Sequence, residues 1–287
     1  MKVQSVTKTF LCLILAIVFS SCVTTERFAT YSKTTIGGLK MSDEINYSFR
    51  KHCISNSTYL QNQNIISGEP VSLDTSDCRS SKATDDLMAK VYTTLLSYFN
   101  GMQKLSAGQN TDYSVEGITS TFKVGNYTGI NLSENQVKSI NSIGQILISA
   151  STGAYRNEKI KEFIIESDKP VSNLLEIYST YYELLKLNVQ NEKLGYKKQY
   201  ATIVNNKTGK FSLFDKMAAL TNYTASFNKL ENQRLQIDLM IKALEQIKGG
   251  HNQLAAKVNT LSKSDLKNLL MKSSSNIFQL TNEFKSL

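Results

Sequence analysis

The stretch MIKALEQIKGGHNQLAAKVNTL, residues 240–261, decides the fold of this chain. Its apolar residues and one histidine recur at alternating intervals of four and three residues, which places them on one face of a helix. These positions are Met240, Leu244, Ile247, His251, Leu254, Val258 and Leu261. The pattern predicts a long amphipathic helix whose apolar face is covered by neighbouring helices.

The same spacing continues toward the end of the sequence, but it is shifted by one residue. Ser262 and Asp265 stand at the shift, and a serine followed three residues later by an acidic residue predicts a capping box. We therefore expect either a new helix or a kink at this point. The second stripe consists of Leu266, Leu270, Ser273, Ile277, Leu280, Phe284 and Leu287.

Much of the remaining chain also favours helices, because only two prolines interrupt it, Pro70 and Pro170. The predicted helices cover about 25–52, 84–105, 133–151, 171–204 and 212–248. Pro170 suits the first turn of the helix over 171–204. The segments 55–82, 108–132 and 205–212 are predicted loops, with a weak hairpin signal in TFKVGNYTGINL, residues 121–132. The predicted fold class is all-α, an elongated antiparallel bundle of long helices with loop-rich insertions.

The first 21 residues have the organisation of a secretory signal peptide. Lys2 and Lys8 precede ten apolar residues, 10–19, which are followed by Ser20 and Ser21. This apolar run is too short to span a bilayer, which requires about 20 residues. We therefore expect an exported protein with a signal peptide at 1–21 and one helical-bundle domain at 22–287.

Cys22 follows this segment directly. Phe19-Ser20-Ser21-Cys22 resembles the lipobox of bacterial lipoproteins, although Phe19 stands where Leu, Val or Ile is usual. The resemblance implies that Cys22 carries the lipid and that acyl chains such as palmitate anchor the protein in a membrane. It also implies, because Val23 and not Asp follows, an outer-membrane position facing the periplasm. Cleavage after Cys22 would instead leave a soluble secreted protein, and this alternative stays open.

The two other cysteines of the expected mature chain, Cys53 and Cys78, form an even pair in an oxidising compartment, so we predict a disulfide between them. No cysteine spacing indicates a zinc or redox site. The two histidines, His52 and His251, do not by themselves suggest a metal site, and we interpret His251 as a hydrogen-bonded packing residue. No cofactor is predicted.

The expected mature chain has 31 basic and 24 acidic residues, a surplus of seven positive charges. Such a surplus could attract anionic lipid headgroups. The lysines are spread along the chain among acidic residues, which favours a solvated helical surface. We expect no nucleic-acid partner, because the chain is exported and carries no recognisable binding module.

One enzyme class competes with a structural role. Ser120-Thr121-Phe122-Lys123, Ser139-Ile140-Asn141 and Lys207-Thr208-Gly209 resemble the three motifs of serine β-lactamases and penicillin-binding proteins. This resemblance implies a Ser120 nucleophile assisted by Lys123. The intervals between the motifs are shorter than the intervening helical domain of those enzymes requires.

The sequence favours a lipid-anchored helical protein with a structural or interaction role and an envelope protein as its partner. The alternatives are the acyl-transfer enzyme and a membrane-active bundle. The apolar stretch ILISASTGA, residues 146–154, supports the membrane-active alternative, but it is too short to cross a bilayer. The expected catalytic residues are therefore none.

Overall fold

A computed structural model describes residues 25–71, 77–107, 122–151 and 156–287. Helices dominate these residues, and one short β-hairpin accompanies them. The elements in chain order are α1 (25–39), a 3-10 helix (Lys40–Glu44), α2 (Phe49–Ser67), α3 (Arg79–Ala107), β1 (Gly125–Tyr127), β2 (Ile130–Leu132), α4 (Glu134–Ser151), α5 (Arg156–Val204), α6 (Leu213–Lys257) and α7 (Lys263–Lys285). The predicted all-α bundle is confirmed.

Helices α5 and α6 form a long antiparallel hairpin at the centre of the molecule. A helix of 49 residues, the length of α5, extends about 73 Å at 1.5 Å per residue. Four pairs of side chains show the antiparallel register. Each residue farther along α5 pairs with a residue that lies the same number of positions earlier in α6. These pairs are Ser172 with Asn252, Glu176 with Lys248, Lys186 with Asp238, and Lys193 with Glu231.

The other helices pack around this hairpin. Helix α7 folds back along α6, α3 and α4 lie against α5, and α1 contacts α6 and α7 through Tyr31 and Gly38. The seam predicted in residues 240–261 is buried from Met240 to Val258, and Leu261 is partly buried. Ser262 accepts a hydrogen bond from the backbone N–H of Asp265, so the shift in the pattern begins a new helix.

The predicted hairpin in residues 121–132 is also present. Its strands pair antiparallel, and its turn residues Thr128 and Gly129 both have positive φ values, 49° and 90°. That combination belongs to the type I′ turn, whose twist matches the twist of the strands. The hydroxyl of Thr84 on α3 donates to the Thr128 hydroxyl at 2.8 Å, which fixes the turn against the bundle.

The prediction of one helix from 25 to 52, followed by a loop, was wrong. The chain leaves the helical conformation at 45–48, and α2 then continues to Ser67, within the predicted loop 55–82. Ser48 caps α2, and the Asp85 carboxylate on α3 accepts from the backbone N–H groups of Phe49 and Arg50 at 3.1 and 3.0 Å. A carboxylate is favourable at a helix amino terminus, and this one comes from a distant part of the sequence.

The position predicted for Pro170 was also wrong. Pro170 lies inside α5, which begins at Arg156. Proline has no N–H for the carbonyl of Glu166, and an interior proline costs a helix about 3 kcal/mol. Buried residues on both sides of Pro170 hold the helix in place nevertheless, namely Ile160, Phe163, Ile164, Val171 and Leu174.

The adjacent residues Gly249 and Gly250 have different surroundings, which leads to a testable prediction. A Cβ atom on Gly250 would lie 3.0 Å from Ser273 Oγ and 3.3 Å from the Tyr31 hydroxyl, whereas one on Gly249 would meet nothing within 4 Å. We expect Gly250→Leu to lower the free energy of unfolding by about 2–3 kcal/mol, because α1 and α7 must move apart. Gly249→Ala should raise it by up to about 1 kcal/mol through helix propensity. Urea unfolding measures both, and equal effects would contradict the packing described.

Candidate functional site

The residues predicted to carry the lipid and the disulfide, together with Ser120 of the alternative enzyme class, are only partly described by the structure. Cys22, the segment 1–21 and Ser120 lie outside the described residues. Cys53 and Cys78 lie within them, and their sulfur atoms are 2.03 Å apart with 5.9 Å between the Cα atoms. The predicted pairing is therefore geometrically satisfied. Cys53 lies in the second turn of α2 and not at the end of a first helix, so the bridge ties α2 to the start of α3.

A polar cluster around Glu192 lies close to this bridge. Glu192 and Tyr196 are one turn apart on α5, while His52 and Ser55 are one turn apart on the facing side of α2. Tyr47 reaches the same carboxylate from the extended segment before α2. We refer to these five residues as the Glu192 cluster.

The Glu192 carboxylate accepts from three sides. The Tyr47 hydroxyl donates to Oε2 at 2.8 Å, and His52 Nδ1 lies 3.3 Å from the same oxygen. The Ser55 hydroxyl donates to Oε1 and is 3.0 Å from the Tyr196 hydroxyl. Burial by itself raises the pKa of Glu192, but the hydrogen bonds from His52, Ser55 and Tyr47 outweigh it and lower the pKa overall. Glu192 is therefore ionised at neutral pH.

The order of these contacts decides what the Glu192 cluster can do chemically. In a serine hydrolase the imidazole lies between the serine and the carboxylate and takes the serine proton. Here the carboxylate lies between Ser55 and His52, and its lowered pKa makes it a weak base. The burial of the Tyr47 phenol and the neighbouring negative charge of Glu192 raise the pKa of that phenol, so it stays a neutral donor. The geometry fits a structural role, in which the hydrogen bonds to Glu192 hold α2 against α5.

Two clefts flank Glu192. One, of about 250 Å³, is lined by Asn46, Lys51 and Gln233 among others, and the other, of about 240 Å³, by Asn56, Tyr59 and Gly195. Pockets for drug-sized ligands usually measure about 300–1,000 Å³. The clefts are therefore large enough for water or a small polar molecule.

A second polar network surrounds His251. The imidazole is fully buried, with Nε2 2.8 Å from the Tyr98 hydroxyl and Nδ1 3.1 Å from Asp168 Oδ1. The Tyr98 hydroxyl is in turn 2.7 Å from Ser167 Oγ. The prediction of a hydrogen-bonded packing histidine is confirmed. Burial raises the pKa of Tyr98 well above its ordinary value, so the phenol stays protonated.

The two histidines do not meet. His52 contacts Glu192 and His251 contacts Asp168, and these α5 residues are 24 positions, or about 36 Å of helix, apart. Within the described ranges, no group of three or more His, Cys, Asp or Glu side chains converges to hold a metal ion.

The residues that resemble acyl-transfer motifs are also spread over the molecule. Ser139 and Asn141 lie on α4, and the Asn141 side chain accepts from the backbone N–H of Phe122. The turn that leads into α4 contacts Leu184 on α5 through Gly129. Lys207, Thr208 and Gly209 follow the far end of α5, about 30 Å of helix beyond Leu184. Among the described residues, the structure therefore keeps Ser139-Ile140-Asn141 apart from Lys207-Thr208-Gly209.

The stretch 146–154 of the membrane-active alternative lies partly outside the described residues. Its beginning belongs to α4, where Leu147 is buried in the bundle core. Among the helices that the structure describes, none has the length and apolar character needed to span a membrane.

The Glu192 cluster was missed by the sequence analysis. Only the local spacings, His52 with Ser55 and Glu192 with Tyr196, point to shared helix faces. The contacts between those faces join residues 137–141 positions apart. Comparison with known proteins does not supply this pairing, since no family model, curated protein or solved structure matches the chain. The described residues thus form an all-α bundle, and the observations that bear on its function are those of its own sequence and structure.

Proposed function

We propose that this protein is a lipid-anchored component of a bacterial cell envelope, facing the periplasm from the outer membrane, with a structural or protein-binding role and not a catalytic one. The observation that carries the proposal is the sequence Phe19-Ser20-Ser21-Cys22 directly after a short apolar run. Lipidation of Cys22 would bury acyl chains in the bilayer, and each buried methylene contributes about 0.8 kcal/mol, so several chains make a durable anchor.

The beginning of the described fold supports this proposal. Helix α1 starts no later than residue 25 and is packed into the bundle, with Phe28 and Tyr31 buried. Three residues span at most about 10 Å, so Cys22 would hold the bundle close to the membrane surface. The lipid and the bundle would then act as one unit, with the long hairpin as the contact surface for an envelope partner.

Fatty-acid labelling tests the anchor. We expect an alkyne fatty acid supplied to the native cell to label the wild-type protein and not Cys22→Ser, since the thiol of Cys22 is needed for lipid attachment and processing. The unlabelled variant should accumulate unprocessed or leave washed membranes. The double variant Cys53→Ser/Cys78→Ser removes the other two cysteines of the mature chain and should keep its label. A mature wild-type protein that leaves washed membranes with an unmodified amino terminus would show an ordinary secretory signal.

A further inference from the structure

Most of the surplus positive charge lies in one continuous segment, which the fold places at the end of the α5–α6 hairpin. We define the hairpin tip as residues 194–229, which comprise the end of α5, the loop 205–212 and the first part of α6. The tip carries six lysines and a single acidic residue, Asp215, whereas the rest of 22–287 carries 25 basic and 23 acidic residues. Five of the seven surplus charges therefore lie in the tip.

Three lysines of the hairpin below the tip are paired with carboxylates across the two helices, and among the described residues none of the tip lysines is. Lys186, Lys193 and Lys248 each pair with a carboxylate on the facing helix. Within the described parts of the chain, no carboxylate pairs with a tip lysine. Lys210 and Lys216 donate to the backbone carbonyls of Ile66 and Asn206, which leaves their charges uncompensated. The six tip lysines are Lys197, Lys198, Lys207, Lys210, Lys216 and Lys229.

The tip also exposes apolar side chains that do not hold the hairpin together. The side chains of Leu213, Phe214, Met217 and Leu220 are between 55% and 78% exposed. They lie on neighbouring turns of α6 and form one stripe. The two helices are joined on a different face of α6 by the aromatic contact between Tyr200 and Tyr223, whose tilted rings are 5.9 Å apart. The stripe is therefore available to an external surface.

We propose that the hairpin tip binds a membrane surface rich in anionic lipid. Exposed Phe, Leu and Met beside lysines that lack acidic partners match the chemistry of interfacial membrane binding, in which apolar groups enter the headgroup region and cations meet the lipid phosphates. The four stripe residues are exposed and do not line the cleft of about 610 Å³ that lies farther down the tip between Leu194, Lys197, Tyr223 and Phe227, so they are free to enter a bilayer surface. Asp215 is the single carboxylate of the tip, where it accepts from Ser212 at the start of α6, and six lysines still leave the tip with five net positive charges.

The tip includes the start of α6, and helix α1, which follows the proposed anchor in the chain, contacts α6 near its opposite end. Tyr31 of α1 contacts α6 at Ile247 and Gly250, and Gly250 is 36 residues, or about 54 Å of helix, from Phe214. The proposal does not depend on lipidation of Cys22. If Cys22 is lipidated, however, the same molecule contacts two membrane surfaces.

Vesicle bridging tests the tip and the anchor separately. Full-length protein purified from its native membranes is reconstituted into neutral phosphatidylcholine donor vesicles, and fluorescent acceptor vesicles are then added. We expect acceptors with about 30 mol% phosphatidylglycerol to be recovered with the donors and purely neutral acceptors not to be. If the protein does not stay on the donor vesicles, that result contradicts the lipid anchor and not the tip proposal. The unanchored protein is then mixed directly with the acceptor vesicles, and binding is measured by flotation.

Two pairs of variants attribute the binding to the tip. Each lysine near an anionic surface strengthens binding roughly fivefold, so removing four should weaken acceptor binding at least about tenfold. The tip variant is Lys197→Gln/Lys198→Gln/Lys207→Gln/Lys229→Gln. Its control removes the same charge from exposed positions elsewhere and should bind as wild type. The control variant is Lys90→Gln/Lys242→Gln/Lys272→Gln/Lys285→Gln.

The apolar pair compares Phe214→Ser/Met217→Ser with Phe278→Ser/Met271→Ser, which are exposed residues of the same types on α7. Only the first should lose acceptor binding, and unchanged urea midpoints will show that all variants are folded. Equal binding of neutral and anionic acceptors, or equal loss in tip and control variants, would overturn the proposal. If folded wild-type protein does not bind the acceptor vesicles, the proposal is overturned as well. The exposed surface of the tip would then be a binding site for a partner protein.

Discussion

Leu244→Asp is expected to lower the free energy of unfolding by at least about 4 kcal/mol, because it places a carboxylate without a partner in the bundle core. Leu244 is 1% exposed and lies on the seam between Met240 and Ile247. Truncation to alanine at a buried leucine already costs about 2–5 kcal/mol. The charged side chain adds a desolvation penalty to the lost packing.

Lys242→Asp is the matched control for this prediction. It introduces the same residue two positions away on the same helix, at an exposed site. Surface substitutions usually change stability by less than about 0.5 kcal/mol, so this variant should unfold close to the wild-type midpoint. Urea unfolding followed by circular dichroism measures both variants. Equal midpoints would reject the assignment of Leu244 to the buried face.

The second large effect is expected from removal of the bridge between Cys53 and Cys78. The bridge closes a loop of 25 residues, and the chain-entropy model gives it about 3 to 4 kcal/mol of stabilisation. Cys53→Ser/Cys78→Ser should lose that amount, and the loss should appear first as faster hydrogen exchange in α2. The Glu192 cluster and the Asp85 contacts still hold α2, so we expect the bundle itself to remain folded.

Peptide mapping under non-reducing conditions checks the bridge directly. A linked peptide pair that contains both cysteines is the expected result in freshly isolated envelopes. Two thiols that react freely with an alkylating reagent would contradict it. Cys22→Ser serves as the control for thiol–disulfide exchange. It removes the third cysteine of the expected mature chain and leaves both bridge cysteines in place.

The helices that were predicted correctly from the sequence are those whose apolar residues recur at regular intervals. The seam from Met240 to Val258 and the new helix at Ser262 are both present as predicted. In these segments the residues that form the helix also form the core, so local spacing carries the information about packing. The helix predicted over 133–151 is α4, and Ser133 and Gln136 form a capping box at its start.

The segments that sequence predicted poorly depend on distant partners. The polar α2 sequence has no strong apolar face, and three remote contacts stabilise the helix: the bridge to Cys78, the Glu192 carboxylate and the Asp85 carboxylate. Pro170 misled the prediction because its local preference for a first turn is overridden by buried neighbours on both sides. Propensity is a weak guide wherever tertiary packing decides the conformation.

The charge distribution gave a further discrepancy of the same origin. The lysines were interpreted as spread along the chain among acidic residues, which suggested a solvated helical surface, but the segment 194–229 carries six lysines and one acidic residue. In the fold, Lys186, Lys193 and Lys248 pair with carboxylates of the facing helix, while the tip lysines lie beyond the last such pair. Which lysines keep an uncompensated charge depends on the register of α5 against α6, and sequence spacing within one helix does not contain that register.

The position of α1 between α6 and α7 determines the order in which the bundle can assemble. Tyr31 donates to the Ile247 carbonyl across 216 residues of chain, whereas α5 with α6 and α6 with α7 are hairpins of consecutive helices. Contacts between remote segments carry a larger loop-closure cost and form late. If the chain is exported amino terminus first and lipidated at Cys22, as proposed, α1 would stay beside the bilayer with Phe28, Tyr31 and Leu39 uncovered until the carboxyl-terminal helices arrive. Emergence of α7 would thus be the event that turns an anchored nascent chain into a finished bundle.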